Sequence, residues 1–510
     1  MPSIIELDGE HLSLEQIATV ARGGARVTLG APARARLERA RAVVDRIVAA
    51  DETVYGVTTG FGLLKDIRIP RDRLEELQLN LIRSHCAGVG SPLPPQATRA
   101  LMLLRAHVLA RGHSGVRPLV VETLLAHLNA DLLPIVPEQG SIGASGDLAP
   151  LSHLVLALLG EGDAVLRGTR MKASAALEQV GVEPLRLGPK EGLALINGTQ
   201  FIASVGVLAL LEAENLAAVS DISGALTLEA LKGSHRAFDA RLLAVRPHRG
   251  HLDSAANLRA LLEDSDIARS HADCSRVQDA YSLRCMPQVH GSARDGMRFA
   301  RSILEVEVDA VTDNPIVFPE EGDVVSGGNF HGEAPALALD LLAIATASLA
   351  SISERRIDRL MNPALSGLPP FLAREAGVNS GLMMAHVTAA SLVSENKILC
   401  HPASVDSIPT EANQEDHVSM GPIAARKARL VVEHARQVLA IEVLSACQAL
   451  DFLAPLRPGR GARAAWEAVR SIVPFMETDR VIADDIGSVD RAIRDGTVRA
   501  AAEKAAGRLR

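Results

Sequence analysis

Apolar residues recur at helical spacing along most of the chain. Between Gly421 and Phe452 they fall at Val431, Ala435, Val438 and Ile441, and Pro422 stands where a first helical turn tolerates it. As a helix that segment would span roughly 48 Å at about 1.5 Å per residue. Pro335–Met361 is apolar almost all round as far as the polar run 353–356, which predicts a helix buried over its first half. The same pattern predicts helices over Gln96–Arg111, Pro118–Ala130, Phe201–Ala218, Ala293–Ala310 and Gly381–Leu399. Long helices of this kind pack as bundles. Strand-like runs are short and few, Ala164–Leu166 and Ile316–Phe318 among them, and no βαβ alternation occurs, which excludes a Rossmann-type or barrel sheet. The expected fold is mainly α, a long-helix bundle with a loop-rich N-terminal part and minor strands. Three segments are expected: a loop-rich 1–200, a central bundle 201–455, and peripheral helices over 456–510.

Composition sharpens this picture. With 510 residues and 47% apolar content the chain can bury a large core, and disorder is excluded. The balance of 53 basic and 61 acidic residues, net −8, argues against a nucleic-acid partner. No run reaches the roughly 18 uninterrupted apolar residues of a membrane span. The N-terminus lacks the basic-then-apolar pattern of a signal sequence, so a cytoplasmic protein is expected. Cys86, Cys274, Cys285, Cys400 and Cys447 show neither disulfide nor zinc spacing, and no metal site is expected. Aromatic residues make up only 2% of the chain, with two tyrosines, Tyr55 and Tyr281. Such scarcity draws attention to both.

The most informative segment is GSIGASGDLAPLSHL, 140–154, where small residues crowd before an apolar helix from about Leu148 to Leu159. Read plainly, it is a tight turn with Ser145 or Asp147 capping that helix. It is not a nucleophile elbow, because Asp147 stands where that motif needs glycine, nor a phosphate loop, because no Gly-Lys-Ser/Thr follows. Other segments also concentrate chemistry. VYGVTTGFG, 54–62, sets Tyr55 before glycines that let backbone approach a ligand. In VQDAYSLRC, 277–285, a helix would put Gln278, Tyr281 and Arg284 on one broad face. EGLALINGTQ, 191–200, carries Asn197; SGGNFHGE, 326–333, carries Phe330; SHCAGVG, 84–90, carries His85; and ANQEDHVSM, 412–420, carries Glu415.

Taken together, in this order and over roughly residues 50–455, these segments resemble the histidine/phenylalanine/tyrosine ammonia-lyase family. The resemblance implies that Ala144, Ser145 and Gly146 cyclise to a methylidene-imidazolone (MIO), with no external cofactor. A bulky Cβ at either flank would hinder that closure, and the residue types present avoid one. Such an electrophile answers a chemical need: an α-amino acid has a poor leaving amine and a weakly acidic β-hydrogen. The resemblance further implies that Tyr55 removes the β-proton and Arg284 holds the substrate carboxylate. Asn197 and Tyr281 would flank the prosthetic group, with Gln278 and Phe330 at the substrate. Ser84-His85 and Gln414-Glu415-Asp416 match the histidine-specific branch, since a carboxylate beside the ring suits N–H donors and is costly against a phenyl group. The implied reaction turns L-histidine into trans-urocanate and ammonia, in a homotetramer whose active sites draw on several subunits.

The rivals are a tyrosine or phenylalanine lyase, or a 2,3-aminomutase using the same electrophile. The fumarase/aspartase class is set aside because its Gly-Ser-Ser loop is missing. Two positions depart from the family pattern: Glu411, where serine is common, and Ala280, where many histidine lyases have proline.

Overall fold

A computed structural model describes residues 3–273 and 276–510, and Cys274 lies outside the described residues. The fold is mainly α. Three long helices dominate it, Gln200–Ala230, Glu333–Met361 and Gly421–Asp451. Other helices cover Pro95–Ala110, Pro118–Asn129 and Met383–Leu399, close to the periodic segments, and Met286–Glu307, which begins seven residues before the expected Ala293. Gln200–Ala230 runs twelve residues past the expected end at Ala218. Its polar stretch looks like a stop in sequence, but the Ser220 hydroxyl donates back to the Leu216 carbonyl at 2.8 Å. Asp221 accepts from Arg294 at 2.6 Å and from the Ser254 hydroxyl at 2.6 Å. Each polar group finds a buried partner, so the helix continues.

Strands form four small sheets among the described residues. Ser3–Leu7 pairs in parallel with Ala25–Leu29. Asp163–Leu166 lies between Leu132–Pro134 and Thr169–Lys172 in an antiparallel sheet. Ile316–Phe318 forms a hairpin with Asp323–Val325, and Val89–Pro92 pairs with Pro137–Gln139.

The chain folds into two compact units that interleave in sequence, so the expected segments 1–200, 201–455 and 456–510 do not map onto them one to one. The first comprises residues 1–208, 301–340 and 402–426 and contains all four sheets. The second comprises 209–300, 341–401 and 427–510. Inside the second unit, Arg356 and Glu442 are fully buried and form a two-pronged ion pair at 2.5 and 2.8 Å. Ser223, Thr227 and Ser353 donate their hydroxyls to the same carboxylate. Burial would push the Glu442 carboxyl up, but Arg356 and these hydroxyls overturn that and hold it below the ordinary range.

This pairing corrects the expectation that Pro335–Met361 is buried only over its first half. The helix is buried along its length, apart from one exposed stripe that includes Leu337, Leu341 and Ile344. Helices 200–230 and 333–361 are long and apolar enough to cross a membrane by length and composition alone, yet most of each apolar window is buried inside the protein. The final segment supplies the helices Arg460–Arg470, Ile482–Arg494 and Thr497–Ala506.

Candidate active site

The first unit contains a cavity of about 550 Å³. It is lined by Tyr55, His85, Ala144, Ser145, Asn197, Phe330 and Glu415, which come from six separate stretches of the chain. Gly146 lies beside it at the turn of the small-residue loop. This loop is held by glycine geometry. Gly146 has φ of 77°, and a Cβ there would stand 2.3 Å from the Gly198 carbonyl oxygen. The Asp147 amide donates to that same oxygen at 2.7 Å. Only a residue without a side chain fits such an approach.

The plain reading of this loop as a cap on its own helix does not hold. Helix Ala149–Leu158 has Leu148 at its N-terminus and no side-chain cap. Asp147 instead turns inward, fully buried, and accepts from the Phe201 amide at 2.5 Å. It thereby caps helix Gln200–Ala230, while Ser145 is left facing the cavity. Burial, only partly offset by the Phe201 and Ile202 amides, pushes the Asp147 carboxyl well above its usual range.

The Ser145 hydroxyl donates to Glu415 Oε1 at 2.7 Å, and the Thr410 hydroxyl donates to Glu415 Oε2 at 2.8 Å. Thr410 and Glu415 also pair through their backbones at 3.0 and 3.3 Å, closing a short loop. Asn197 follows the helix Glu191–Ile196, and its backbone carbonyl accepts from buried Arg105 at 2.9 Å. Its Oδ1 is buried and has no hydrogen-bond partner. An orphaned acceptor of this kind is costly unless a ligand or prosthetic group supplies the donor.

His85 closes the helix Leu74–His85, where its Nδ1 lies 2.9 Å from the Leu81 carbonyl. A carbonyl can only accept, so Nδ1 carries the hydrogen and Nε2 is left as an acceptor. Burial lowers the His85 pKa, against the opposing pull of Leu81 and Glu415, and so favours the uncharged ring. The Gly62 amide donates to Tyr55 Oη at 3.5 Å. Burial raises the Tyr55 pKa, the Gly62 amide lowers it, and the carboxylates of Glu411 and Glu415 raise it further.

Gln278, Tyr281 and Arg284 are not among the residues lining this cavity. They also fail to share a helix face: the helix is only Tyr281–Arg284, and Ala280 before it is extended at ψ of 156°. Gln278 therefore lies outside any helix. Tyr281 is 72% exposed, and the Arg284 guanidinium lies 4.7 Å from the centre of its ring.

Sequence reasoning missed Thr410, Arg105 and the placement of Asp147. A lone arginine within the apolar run 100–110 was a usable signal for Arg105. Thr410 offers none, because its role depends on how the loop closes. Sequence spacing also suggested no metal cluster, whereas the fold brings His331, Glu333 and His417 together, with ligand atoms within 4.8 Å of one another. His331 Nε2 is already 3.2 Å from the His417 carbonyl.

A helical fold with this glycine-bound loop and a cavity of acids, imidazole and phenol defines a class of protein. The aromatic amino acid lyase family matches residues 12–471, and the chain belongs to that family. It is 56% identical over 501 residues to a histidine ammonia-lyase of Anaeromyxobacter dehalogenans (strain 2CP-C), covering 96% of this chain and 99% of that protein. The crystal structure of histidine ammonia-lyase from Trypanosoma cruzi is similar at 48% identity and a TM-score of 0.91, covering 98% of this chain and 95% of that one. A tyrosine aminomutase from Streptomyces globisporus is similar at 38% identity and a TM-score of 0.93, with all of both chains covered.

Proposed function

We propose that this protein is a histidine ammonia-lyase, eliminating ammonia from L-histidine to give trans-urocanate. The observation that carries this reading is the placement of Glu415, joined to Ser145 at 2.7 Å in a cavity shared with His85 and Tyr55. A carboxylate there rewards a ring with N–H donors and is left desolvated against a phenyl ring. The rival tyrosine or phenylalanine chemistry lacks that reward.

The Ala144-Ser145-Gly146 triplet fits a MIO group. Gly146 has no room for a side chain, and the buried acceptor Asn197 Oδ1 is left for a donor such as the substrate ammonium. When formed, that group supplies the electrophile that eases departure of the substrate amine. Around it, Glu415 accepts from a ring N–H and the His85 Nε2 lone pair faces the imidazole. Loss of the Ser145 hydroxyl frees Glu415 Oε1 for this purpose. Phe330 walls the ring, and Tyr55 Oη, in its ionised form, takes the β-proton.

The substrate carboxylate needs a cation. Among the described residues, Lys65 is the only lysine or arginine lining the cavity, and it donates to Gln414 Oε1 at 3.0 Å. In our reading Arg284, Tyr281 and Gln278 reach each site from another copy of the chain, within a homotetramer. The exposed stripe of Leu337, Leu341 and Ile344 supports association, because apolar side chains lined up on a surface mark contact faces.

The test is urocanate absorbance on adding L-histidine to the purified protein, with product analysis for β-histidine, cinnamate and coumarate when the other amino acids are offered. Ser145→Ala is expected to abolish turnover. Glu415→Gln is expected to lower kcat/KM by roughly 10–100-fold, the equivalent of one charged hydrogen bond. Turnover of tyrosine or phenylalanine in preference to histidine would overturn the reading.

A further inference from the structure

The loop that ends in Glu415 carries a second acid, which the mechanism above does not use. Glu411, Ala412 and Asn413 all have left-handed backbone, with φ of 48°, 53° and 66°. Three such residues in succession, none of them glycine, are strained and persist only where the surroundings fix them. The conformation sends the Glu411 side chain into the cavity.

There its carboxylate packs against Gly62, where a Cβ would stand 1.9 Å from Oε2. The amide of Gly62 in turn points at Tyr55 Oη, 3.5 Å away. Carboxylate, glycine and phenol are thus stacked in series. Among the described residues, no hydrogen bond reaches the Glu411 side chain to neutralise it. The other charged or titratable groups lining the cavity are Asp66, Glu415 and Asp416, the imidazoles of His85, His331 and His417, and Lys65.

We infer that Glu411 is a positioning residue for proton transfer: its negative charge keeps Tyr55 a neutral phenol to a higher pH than the rest of the cavity would. The inference rests on the reading of Tyr55 as the base. Its physical cause is like-charge repulsion, since ionising the phenol puts a second negative charge beside the carboxylate. The direction of the Tyr55 shift agrees, with burial acting first and Glu411 adding to it. Removing the charge must therefore let the phenol ionise at lower pH.

The chain has only two tyrosines, so Tyr281→Phe leaves Tyr55 as the single phenol for a tyrosinate absorbance titration. That background is compared with and without Glu411→Gln, which preserves side-chain size, and with Glu411→Asp, which preserves charge. The midpoint is expected to fall in the Gln protein and to stay near the parent in the Asp protein, with circular dichroism confirming that each remains folded. In the otherwise unchanged chain, Glu411→Gln is expected to move the acidic limb of kcat/KM to lower pH and raise the rate on that limb several-fold.

An unmoved midpoint in the Gln protein overturns the inference even if Tyr55 is the base. A shifted midpoint with an unmoved limb also overturns it, because the phenol would not be controlling the reaction. If both proteins unfold before the phenol ionises, the limb alone decides. The base reading fails separately, if Tyr55→Phe retains turnover.

Discussion

Gly146 and Gly198 approach so closely that a single methyl group at position 146 would meet the carbonyl oxygen at 2.3 Å. Both the positive φ and the contact oppose any side chain, so Gly146→Ala forces the loop away from the one shape that presents Ser145 to the cavity. Loss of turnover is expected, along with loss of the two-water mass deficit that marks ring closure. The folding cost should be modest, about 1–3 kcal/mol for one strained residue. Intact mass and a thermal melt separate the two effects; a mature ring in the alanine variant would show that the glycine contact is dispensable. At this scale the sequence was informative where chemistry sits in contiguous motifs. Tyr55, His85, Ala144, Ser145, Asn197, Phe330 and Glu415 lie in six short segments and line one cavity. Thr410 was illegible, because its hydrogen bond to Glu415 depends on loop closure. Gln278, Tyr281 and Arg284 were misjudged as a helical face, because a periodicity argument cannot see that Ala280 is extended.

Asp147 shows how one side chain can tie two elements together. It stands just before helix Ala149–Leu158, yet it caps helix Gln200–Ala230, through the Phe201 amide at 2.5 Å. Asp147→Ala leaves that buried amide without an acceptor, and a loss of about 1–3 kcal/mol in stability is expected. Asp147→Asn keeps an acceptor oxygen and should retain most of the stability. The two differ in pH dependence as well. Burial raises the Asp147 carboxyl pKa in the folded chain, so the unfolded chain ionises first, above about pH 4. Its contribution is then fully present below that pH and is lost as pH rises toward the folded value. Chemical denaturation at several pH values should show this slope in the parent and its absence in the asparagine variant; identical slopes would mean that Asp147 is already ionised when folded. Most other helix positions were legible to within a few residues from apolar spacing, although Met286–Glu307 begins seven residues before the expected Ala293. The long overrun of Gln200–Ala230 was not, because the partners of Ser220 and Asp221 are supplied by tertiary contacts.

At the scale of the whole molecule, helical periodicity indicated the fold class but not the interleaving of the two units, whose segments are joined by contacts distant in sequence. Charge carries the argument further. Among the described residues, the cavity is lined by four acids, Asp66, Glu411, Glu415 and Asp416, against one lysine already engaged by Gln414. An amino-acid substrate brings an ammonium that suits such a cavity and a carboxylate that does not. Our proposal brings a guanidinium from elsewhere, and Arg284 is not in the lining of this chain's own cavity. If another copy supplies it, two inactive variants can repair each other. Arg284→Ala removes the cation that a chain lends out, and Ser145→Ala disables the electrophile it keeps. Each alone is expected to be nearly inactive. Co-expressed with different tags and purified through both, they form mixed assemblies in which some sites combine an intact Ser145 from one chain with an intact Arg284 from another. Partial turnover is therefore expected in the mixture and in neither parent. If mixed assemblies of confirmed composition stay inactive, Arg284 serves its own chain or none, and the carboxylate must find its cation without a second copy.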